Sequence, residues 1–303
     1  MKPSSAIFVA GALALLALVS LAACSASVRE GVWAALRNDN APRAPFEIAP
    51  GLYYVGASDV AVYALETADG LILIDGGYPS TAPRVLENLR TLHLDPAAVR
   101  VLLNTHAHFD HAGGLAQLKR ETGAQLYASA ADRVLLEAGG RGDFFLRDWM
   151  SYPPVSVDRV LEDGDDVRLG ETVLTAHLTP GHTKGCTTWS FDIEIDAQAR
   201  PALILCGAGI LRYDLIDNPD YPNIAEDFNA TFDTLRALPC ELFLSQHASH
   251  YGIDQKRARQ LAGAAENPFR DADGCRTFIA ADERDFREAL ARQARRNLPR
   301  VVR

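Results

Sequence analysis

The sequence lacks an excess of positive charge. Its 303 residues include 30 Lys and Arg against 39 Asp and Glu, which gives a formal net charge of -9 at pH 7. Proteins that bind nucleic acid need a basic face to meet the phosphates, so this composition argues against a nucleic-acid partner. Binding of an anionic substrate would depend on local cations, which means metal ions or single arginines.

The sequence also lacks the motifs of several common enzyme classes. It contains no Gly-rich phosphate loop, no nucleophile elbow and no internal repeat at a fixed period. The segment Gly207-Ala208-Gly209 alone is too weak a signal for nucleotide binding. The proportions of charged residues, 23%, and hydrophobic residues, 48%, are ordinary for a globular protein.

The N-terminal apolar run is short for a stable membrane span. It extends from Ile7 to Leu21 behind a single positive charge at Lys2, which is the form of a signal peptide. The run ends in Leu-Ala-Ala-Cys24, which resembles a bacterial lipobox in which Cys24 is lipidated. Ordinary cleavage at a nearby site is the alternative.

These features predict the domain organisation and the compartment. We expect a signal peptide of lipoprotein type over residues 1–23, a tether over 24–45 and a single domain over 46–303. Both cleavage alternatives export the protein, and we expect it in the periplasm of a Gram-negative bacterium. A lipid anchor at Cys24 is the one membrane contact that the sequence predicts.

Cysteine is scarce, with five residues in the chain. Without Cys24 an even number remains, which suits an oxidising compartment. Cys240 and Cys275 flank a helical stretch, and Cys186 and Cys206 lie in neighbouring strand-like runs. Spacing alone leaves the connectivity open. For the second pair we expect buried free thiols, with a disulfide as the alternative.

Continuous apolar runs alternate with helical patterns along the chain. Leu71–Ile74 and Val101–Leu103 are typical of strands covered on both faces, and Val85 to Leu92 carries the apolar stripe of a helix between them. A β-meander precedes this unit. This order predicts an α/β fold with two α/β layers packed sheet to sheet. The later predicted elements are strands at 173–178, 187–193, 202–206 and 242–244, and helices at 224–235 and 281–296.

The segment from Asn104 to Gly114 concentrates metal-binding side chains. His106 and His108 alternate, so they point to the same side of an extended backbone. Asp110 and His111 follow where the chain begins to turn, and can face a second point in space. Imidazole and carboxylate suit zinc, iron or another borderline divalent metal. Four such groups exceed what one open catalytic site takes from one segment, so the pattern predicts a two-metal site.

Two later histidines share this placement after a strand. His182 and His247 bring the candidate ligands to six, which divide into two sets of three. His250 is a weaker candidate on the same loop as His247. Asp75 follows an apolar strand and is predicted to orient the histidine loop by hydrogen bonding. Its alternative role is to cap the Gly-Gly turn that follows it.

A long aromatic loop with little periodicity covers residues 139–154. Such a loop in a compact domain is often a flap that faces the substrate. Its candidate contacts are Phe145, Trp149 and Tyr152. The alternative is a surface excursion that packs its own aromatic side chains.

The histidine motifs resemble those of a known family. The T-H-A-H-F-D-H loop at 105–111, the P-G-H-T-x-G loop at 180–185 and the late His247 resemble the metallo-β-lactamase superfamily. This resemblance implies a four-layer αββα sandwich, with two mixed sheets face to face, helices outside and the metals at one sheet edge. It covers the chain from about Phe46 onward.

The end of the strand at 202–206 narrows the resemblance. Many hydrolases of the superfamily, such as glyoxalase II and lactonases, carry a bridging Asp near the position of Gly207, and this chain has no carboxylate there. A metal-ligand Cys in this region marks the first lactamase subclass. Here His111 already serves the second metal, so we interpret Cys206 as structural. The pattern is similar to the third subclass of class B β-lactamases.

The subclass resemblance implies roles for the candidate ligands. His106, His108 and His182 would hold the first zinc, and Asp110, His111 and His247 the second, giving two Zn²⁺ per chain. It further implies a Cys240–Cys275 disulfide. We also expect the protein to be a monomer. Some members have serines matching Gly207 and Gly209 that are thought to meet the substrate carboxylate. Here backbone N–H groups, Arg212, the second zinc or a water would have to replace those hydroxyls.

The implied activity is hydrolysis of the β-lactam amide of penicillins, cephalosporins and carbapenems. A metal-bound hydroxide oriented by Asp110 would attack the carbonyl carbon. The first alternative is another dinuclear hydrolase of this fold, acting on lactones, thioesters or phosphodiesters. The second is a lipid-anchored metal-binding protein without catalysis.

Overall fold

Seven strands form the first sheet of the computed structural model, which describes residues 38–297. The strands lie in chain order across the sheet. The first four pair antiparallel, and the fourth to the seventh pair parallel, so the sheet is mixed. They are β1 (Phe46–Ala49), β2 (Leu52–Tyr54), β3 (Tyr63–Thr67), β4 (Gly70–Ile74), β5 (Val99–Leu103), β6 (Gln125–Ser129) and β7 (Arg159–Leu161).

The second sheet has five strands in the order β12-β11-β10-β9-β8. β8 to β11 pair antiparallel, and β11 pairs parallel with β12. In β10 alternate residues from Trp189 to Ile195 are buried, as expected of a strand with one face on the core. The strands are β8 (Asp166–Leu169), β9 (Thr172–Leu178), β10 (Thr187–Ile195), β11 (Gln198–Leu205) and β12 (Leu242–Ser245).

The helices cover the outer faces of the two sheets. They are α1 (Ala82–Thr91), α2 (Phe109–Ala112), α3 (Leu115–Thr122), α4 (Ala130–Ala138), α5 (Ile224–Ala237), α6 (Ile253–Leu261) and α7 (Ala272–Asn297). None of the helices within residues 38–297 is long and apolar enough to cross a membrane.

Two hydrophobic clusters establish the layers. One contains side chains from the facing strands of both sheets together with α5 and α7, including Trp189, Phe228 and Phe286. The other packs α1, α3 and α4 on the outer face of the first sheet through residues such as Leu86 and Leu118. The molecule is therefore an αββα sandwich of two mixed sheets, as the sequence predicts.

The elements that the sequence pattern did not predict are short or exposed. β7 and β8 carry charged residues and have only one fully buried side chain each, so their apolar signal is weak. The sequence around α4 does carry local signals of a helix start and a helix end. Ser129 is its N-cap and accepts from the N–H of Asp132, and Gly139 ends it in a left-handed conformation. α7 begins at Ala272, nine residues before the predicted start.

Residues 38–45, within the predicted tether, pack on the domain. Arg84 donates to the backbone carbonyl of Asn40 over 2.9 Å, and Arg43 donates to the carbonyl of Ser58 over 2.8 Å. The predicted signal peptide and Cys24 lie outside the described residues.

The four cysteines of the domain form two disulfides. Cys240–Cys275 confirms the pairing that the family resemblance implied. Cys186–Cys206 shows that our expectation of free thiols was wrong. Cys186 precedes β10 and Cys206 follows β11 at the same end of this antiparallel pair, which brings their Cα atoms to 5.8 Å. A disulfide spans this separation, and the strand register from which the pairing could be inferred is not visible in the sequence.

Replacing both Cys186 and Cys206 with alanine is expected to lower the free energy of unfolding by about 3 kcal/mol, because the crosslink limits the unfolded chain over a separation of 20 residues. Denaturant unfolding without reductant measures this difference. With reductant, most of the difference should disappear. Equal stability in both conditions, together with titratable thiols in the native domain, would contradict the pairing.

Candidate metal centre

The candidate ligands meet at the carboxyl ends of strands from both sheets. β4 and β5 are parallel, so Asp75 and the loop after Leu103 leave the first sheet at one edge. His182 follows β9 and His247 follows β12 in the second sheet. The segment 59–61 pairs with 246–248 and joins the two sheets at this edge, with the N–H of Ala61 donating to the carbonyl of Gln246 over 2.9 Å.

The histidine loop is compact because two backbones approach closely. His108 precedes α2 in an extended conformation, and Asp110 and His111 lie within that short helix. The N–H of Gly114 donates to the carbonyl of Gly77 over 2.9 Å, and a Cβ at Gly114 would overlap the carbonyl of Gly76. Glycine is required here because no side chain fits between the loop and the end of β4.

His106, His108 and His182 form the first group. Their ring centroids are 4.8, 4.8 and 4.9 Å apart in pairs, and one nitrogen of each lies within 4.8 Å of the others. The rings of His106 and His108 are buried. This spacing matches three imidazole ligands around one ion.

The second group centres on Asp110. Its Oδ2 lies 3.2 Å from Nε2 of His111 and 3.6 Å from Nε2 of His247. His106 also lies beside this group, with its ring centroid 4.4 Å from that of His111. The fold thus brings together all six residues that the sequence predicts as ligands. The first predicted set is one compact group, whereas in the second the ligand atoms of Asp110 and His111 cluster with His106, and His247 approaches through Asp110.

Asp75 supports the histidine loop. Its carboxylate accepts from the N–H of Thr105 over 2.6 Å and from the Thr105 hydroxyl over 2.9 Å. That hydroxyl lies 3.1 Å from Nδ1 of His106, and Asp75 itself lies 3.4 Å from Nδ1 of His111. These contacts leave Nε2 of both imidazoles directed into the cluster, which is the orienting role predicted for Asp75.

Three more polar groups lie beside the remaining imidazoles, and the sequence did not indicate them. Nδ1 of His182 donates to the carbonyl of Gly209 over 2.7 Å, and Nδ1 of His247 donates to Asp59 over 2.9 Å. Asp143 lies 3.7 Å from Nε2 of His108. Asp59 is 188 residues from His247 along the chain, so no local pattern could have shown the contact.

The electrostatics of the cluster suit a divalent cation. Burial and the neighbouring imidazoles of His111, His108 and His182 lower the pKa of His106 well below its usual value, and burial with His108 lowers that of His182 to about 3. Burial opposes ionisation of Asp110, but interactions with His111 and His247 hold its pKa well below the usual range. Both nitrogens of His111 are enclosed without a hydrogen-bond partner. Burial opposes the charge of His111, but Asp110 and Asp75 raise its pKa to about 10, so this imidazole holds a proton where a cation would sit. The lowered pKa values of His106 and His182, the ionised carboxylate of Asp110 and the enclosed unpaired nitrogens fit a metal site.

The three aromatic residues that the sequence predicts as substrate contacts in the loop at 139–154 have different surroundings. Tyr152 is buried, and its hydroxyl donates to the carbonyl of Ala107 over 2.7 Å, so it supports the histidine loop and presents no surface to a substrate. Phe145 is half-buried and packs on Tyr213, with ring centroids 4.9 Å apart. Trp149 is 87% exposed. Of the three candidates, Trp149 alone offers a free aromatic face.

The three predicted substrate contacts around the end of β11 also differ in their surroundings. Gly209 has open space at its Cβ position, and its carbonyl holds His182. Gly207 lies against the side chain of Gln246. Arg212 is exposed and lines a cleft of about 820 Å³ between residues 210–216 and α7.

Comparison with known proteins agrees with this geometry. Residues 55–194 match the sequence model of the metallo-β-lactamase superfamily. The native FEZ-1 metallo-β-lactamase of Legionella gormanii superposes with a TM-score of 0.82 at 37% identity, over 84% of this chain and 98% of that one. This chain belongs to the metallo-β-lactamase superfamily.

Two further proteins that are similar to this chain have different named activities. BJP-1 of Bradyrhizobium japonicum, a subclass B3 metallo-β-lactamase, superposes with a TM-score of 0.81 at 38% identity, over 86% of this chain and 98% of that one. A hydroxyacylglutathione hydrolase of Methylococcus capsulatus is 30% identical over 165 residues, which are 54% of this chain. This chain spans about half the length of that curated relative, 52%.

A buried carboxyl group connects the two halves of the centre. Asp132, at the start of α4, accepts from Nδ2 of Asn104 over 2.8 Å, and a Cβ at Gly185 would overlap it. It therefore lies between the histidine loop and the loop that carries His182. Burial raises the pKa of Asp132 to about 7.

Asp132→Asn is expected to change how stability depends on pH. Because the folded-state pKa is raised, the native carboxyl contributes stability that is complete below pH 4 and is lost as the pH rises to 7. Asparagine does not ionise, so its contribution does not fall as the pH rises. The free energy of unfolding of the variant should therefore increase by about 2–4 kcal/mol relative to that of the native protein across this range. Denaturant unfolding of the metal-free protein at several pH values measures the change. Asp273→Asn, at an exposed side chain, is the matched control, and parallel curves for Asp132→Asn would contradict the assignment.

His247→Asn is expected to remove about one equivalent of bound zinc per chain, because the second group loses an imidazole. Metal analysis after dialysis measures the stoichiometry. His93→Asn, at an exposed histidine after α1, should retain the native metal content. Equal zinc content in both variants would exclude His247 as a ligand.

Proposed function

We propose that the protein is a dinuclear zinc enzyme that hydrolyses the β-lactam amide. The observation that carries this proposal is the composition of the second ligand group. Asp110, His111 and His247 complete it, while the end of β11 at Gly207 offers no carboxylate. The 37% identity to a metallo-β-lactamase across 98% of that chain supports the same activity.

The residues of the centre supply orientation and proton acceptance. Two zinc ions held by the two groups would polarise the carbonyl oxygen and activate a water molecule. Asp110 stays ionised beside His111 and His247, so its carboxylate can orient water by accepting its proton in a hydrogen bond. The outer contacts of the imidazoles fix the ring orientations before a substrate arrives.

The aromatic loop borders this centre. Asp143 places the loop beside His108, and Arg147 forms a 2.6 Å ion pair with Asp220 that ties the loop to the segment before α5. Trp149 follows these two attachments along the chain, and its ring is exposed. We assign it to the apolar part of the substrate, which gains contact area when the ring covers it.

A thioester hydrolase is the second candidate. Curated relatives named as hydroxyacylglutathione hydrolases match 54% and 38% of the chain at 30% and 31% identity. The residues around Gly207 favour the lactamase, because we expect a thioester hydrolase of this superfamily to carry the bridging Asp there.

We also propose that the protein acts outside the cytoplasm. Two disulfides within residues 38–297 support an oxidising compartment. The periplasm and lipidation of Cys24 follow from the N-terminal sequence.

Zinc-loaded protein is expected to hydrolyse a chromogenic cephalosporin, with a much lower rate for S-lactoylglutathione. Chelation should abolish turnover and added zinc should restore it, because both ligand groups act through the metal. Absorbance assays at matched concentrations compare the two substrates.

The outcome separates the candidates. Turnover of the thioester with none of the cephalosporin would replace the lactamase proposal by the thioester hydrolase. Zinc binding with no turnover of either substrate would exclude both.

A further inference from the structure

The space beside Gly207 is already occupied. β11 and β12 are parallel with Leu205 opposite Ser245, so Gly207 and Gln246 leave the sheet side by side. A Cβ at Gly207 would overlap Nε2 of Gln246 and lie 3.1 and 3.2 Å from its Cδ and Oε1. The Gln246 carboxamide therefore fills the volume in which a side chain of residue 207 would begin.

The backbone of Gln246 is fixed on both sides. Its N–H donates to the carbonyl of Leu205 over 3.3 Å, and its carbonyl accepts from Ala61 over 2.9 Å. These bonds join it to β11 and to the segment that leads into β3. Gln246 also directly precedes His247, so its position is tied to that of a candidate ligand.

The carboxamide nitrogen of Gln246 carries two N–H groups that are free to donate. The Ser245 hydroxyl donates to Oε1 of Gln246, which fixes the orientation of the amide. Within residues 38–297 no acceptor is hydrogen-bonded to Nε2, although the side chain is only 3% exposed. Nε2 is not fully enclosed, so it retains contact with solvent. A buried amide with free N–H groups, in the residue directly before the candidate ligand His247, is a preorganised donor for a ligand.

We propose that Nε2 of Gln246 binds the carboxylate of the substrate, in the place that a side chain at residue 207 would otherwise take. This assignment rests on the proposed β-lactam hydrolysis. β-Lactam antibiotics commonly carry a carboxylate next to the ring nitrogen, and an N–H donor to an ionised oxygen forms a strong hydrogen bond when shielded from water. The protein has a net charge of -9, so a local donor is needed for an anion.

The first test concerns the shared space and needs neither metal nor activity. In the metal-free protein, Gly207→Ser should lower Tm by about 5 °C because it overlaps the carboxamide. In a Gln246→Ala background the same substitution should have little effect. Gly209→Ser is the matched control, since its Cβ position is open, and it should leave Tm unchanged in both backgrounds. Equal effects of Gly207→Ser in both backgrounds would overturn the proposal.

The second test concerns the donor. Gln246→Met keeps the length of the side chain and removes the N–H, and Gln246→Glu also adds a negative charge. For a cephalosporin with a free carboxylate, Gln246→Met should raise KM about tenfold with little change in kcat, and Gln246→Glu should raise it further. For the methyl ester of the same compound, both variants should behave like the native enzyme. Zinc content should be unchanged.

The outcomes distinguish this inference from the proposed function. Native turnover with an unchanged preference for acid over ester in Gln246→Met would overturn the inference alone. No native turnover of any β-lactam would overturn the proposed function and, with it, this substrate contact.

Discussion

The structure depends on holding five imidazoles and one carboxylate close together in a largely buried centre. Unpaired imidazolium ions at ring separations of 4.4–4.9 Å would repel one another, and burial opposes their charge further. The fold places a polar group beside each ring, hydrogen-bonded to His106, His182 and His247 and without a hydrogen bond beside His108 and His111. Thr105, Asp75, Asp143, Gly209 and Asp59 provide these contacts from five different parts of the chain. The ligand geometry is therefore a property of the whole sandwich.

The two sheets are joined where this geometry is needed. The segment 59–61 pairs with 246–248 across the sheets, and the indole N–H of Trp189 in β10 donates to the carbonyl of Asn104 over 3.0 Å. The Cys186–Cys206 disulfide closes the same end of β10 and β11. These links make the edge rigid, which favours fixed ligand positions over flexible loops. The aromatic loop adds a more exposed surface over this rigid base.

The residue at position 207, just after the end of β11, affects the charge of the candidate metal centre. A carboxylate at residue 207 would add an anionic ligand between the metals and change the charge of the centre. Here glycine leaves that position to the carboxamide of Gln246, which is neutral and offers a donor. Under the proposed function, this location serves recognition of the substrate carboxylate and not metal ligation. The residue directly after β12 provides this carboxamide.

The sequence by itself determined the α/β class, most strands and helices, and the six candidate ligands. These follow from local signals, because apolar periodicity and closely spaced histidines are visible along the chain. It did not determine α4, the Cys186–Cys206 pairing, or the roles of Asp59, Asp143 and Gln246, and it placed Tyr152 at a substrate surface although that residue is buried. Only the tertiary structure decided these points. Each depends on strand register or on contacts between distant segments, such as Asp59 with His247, and such contacts leave no periodic trace in the sequence.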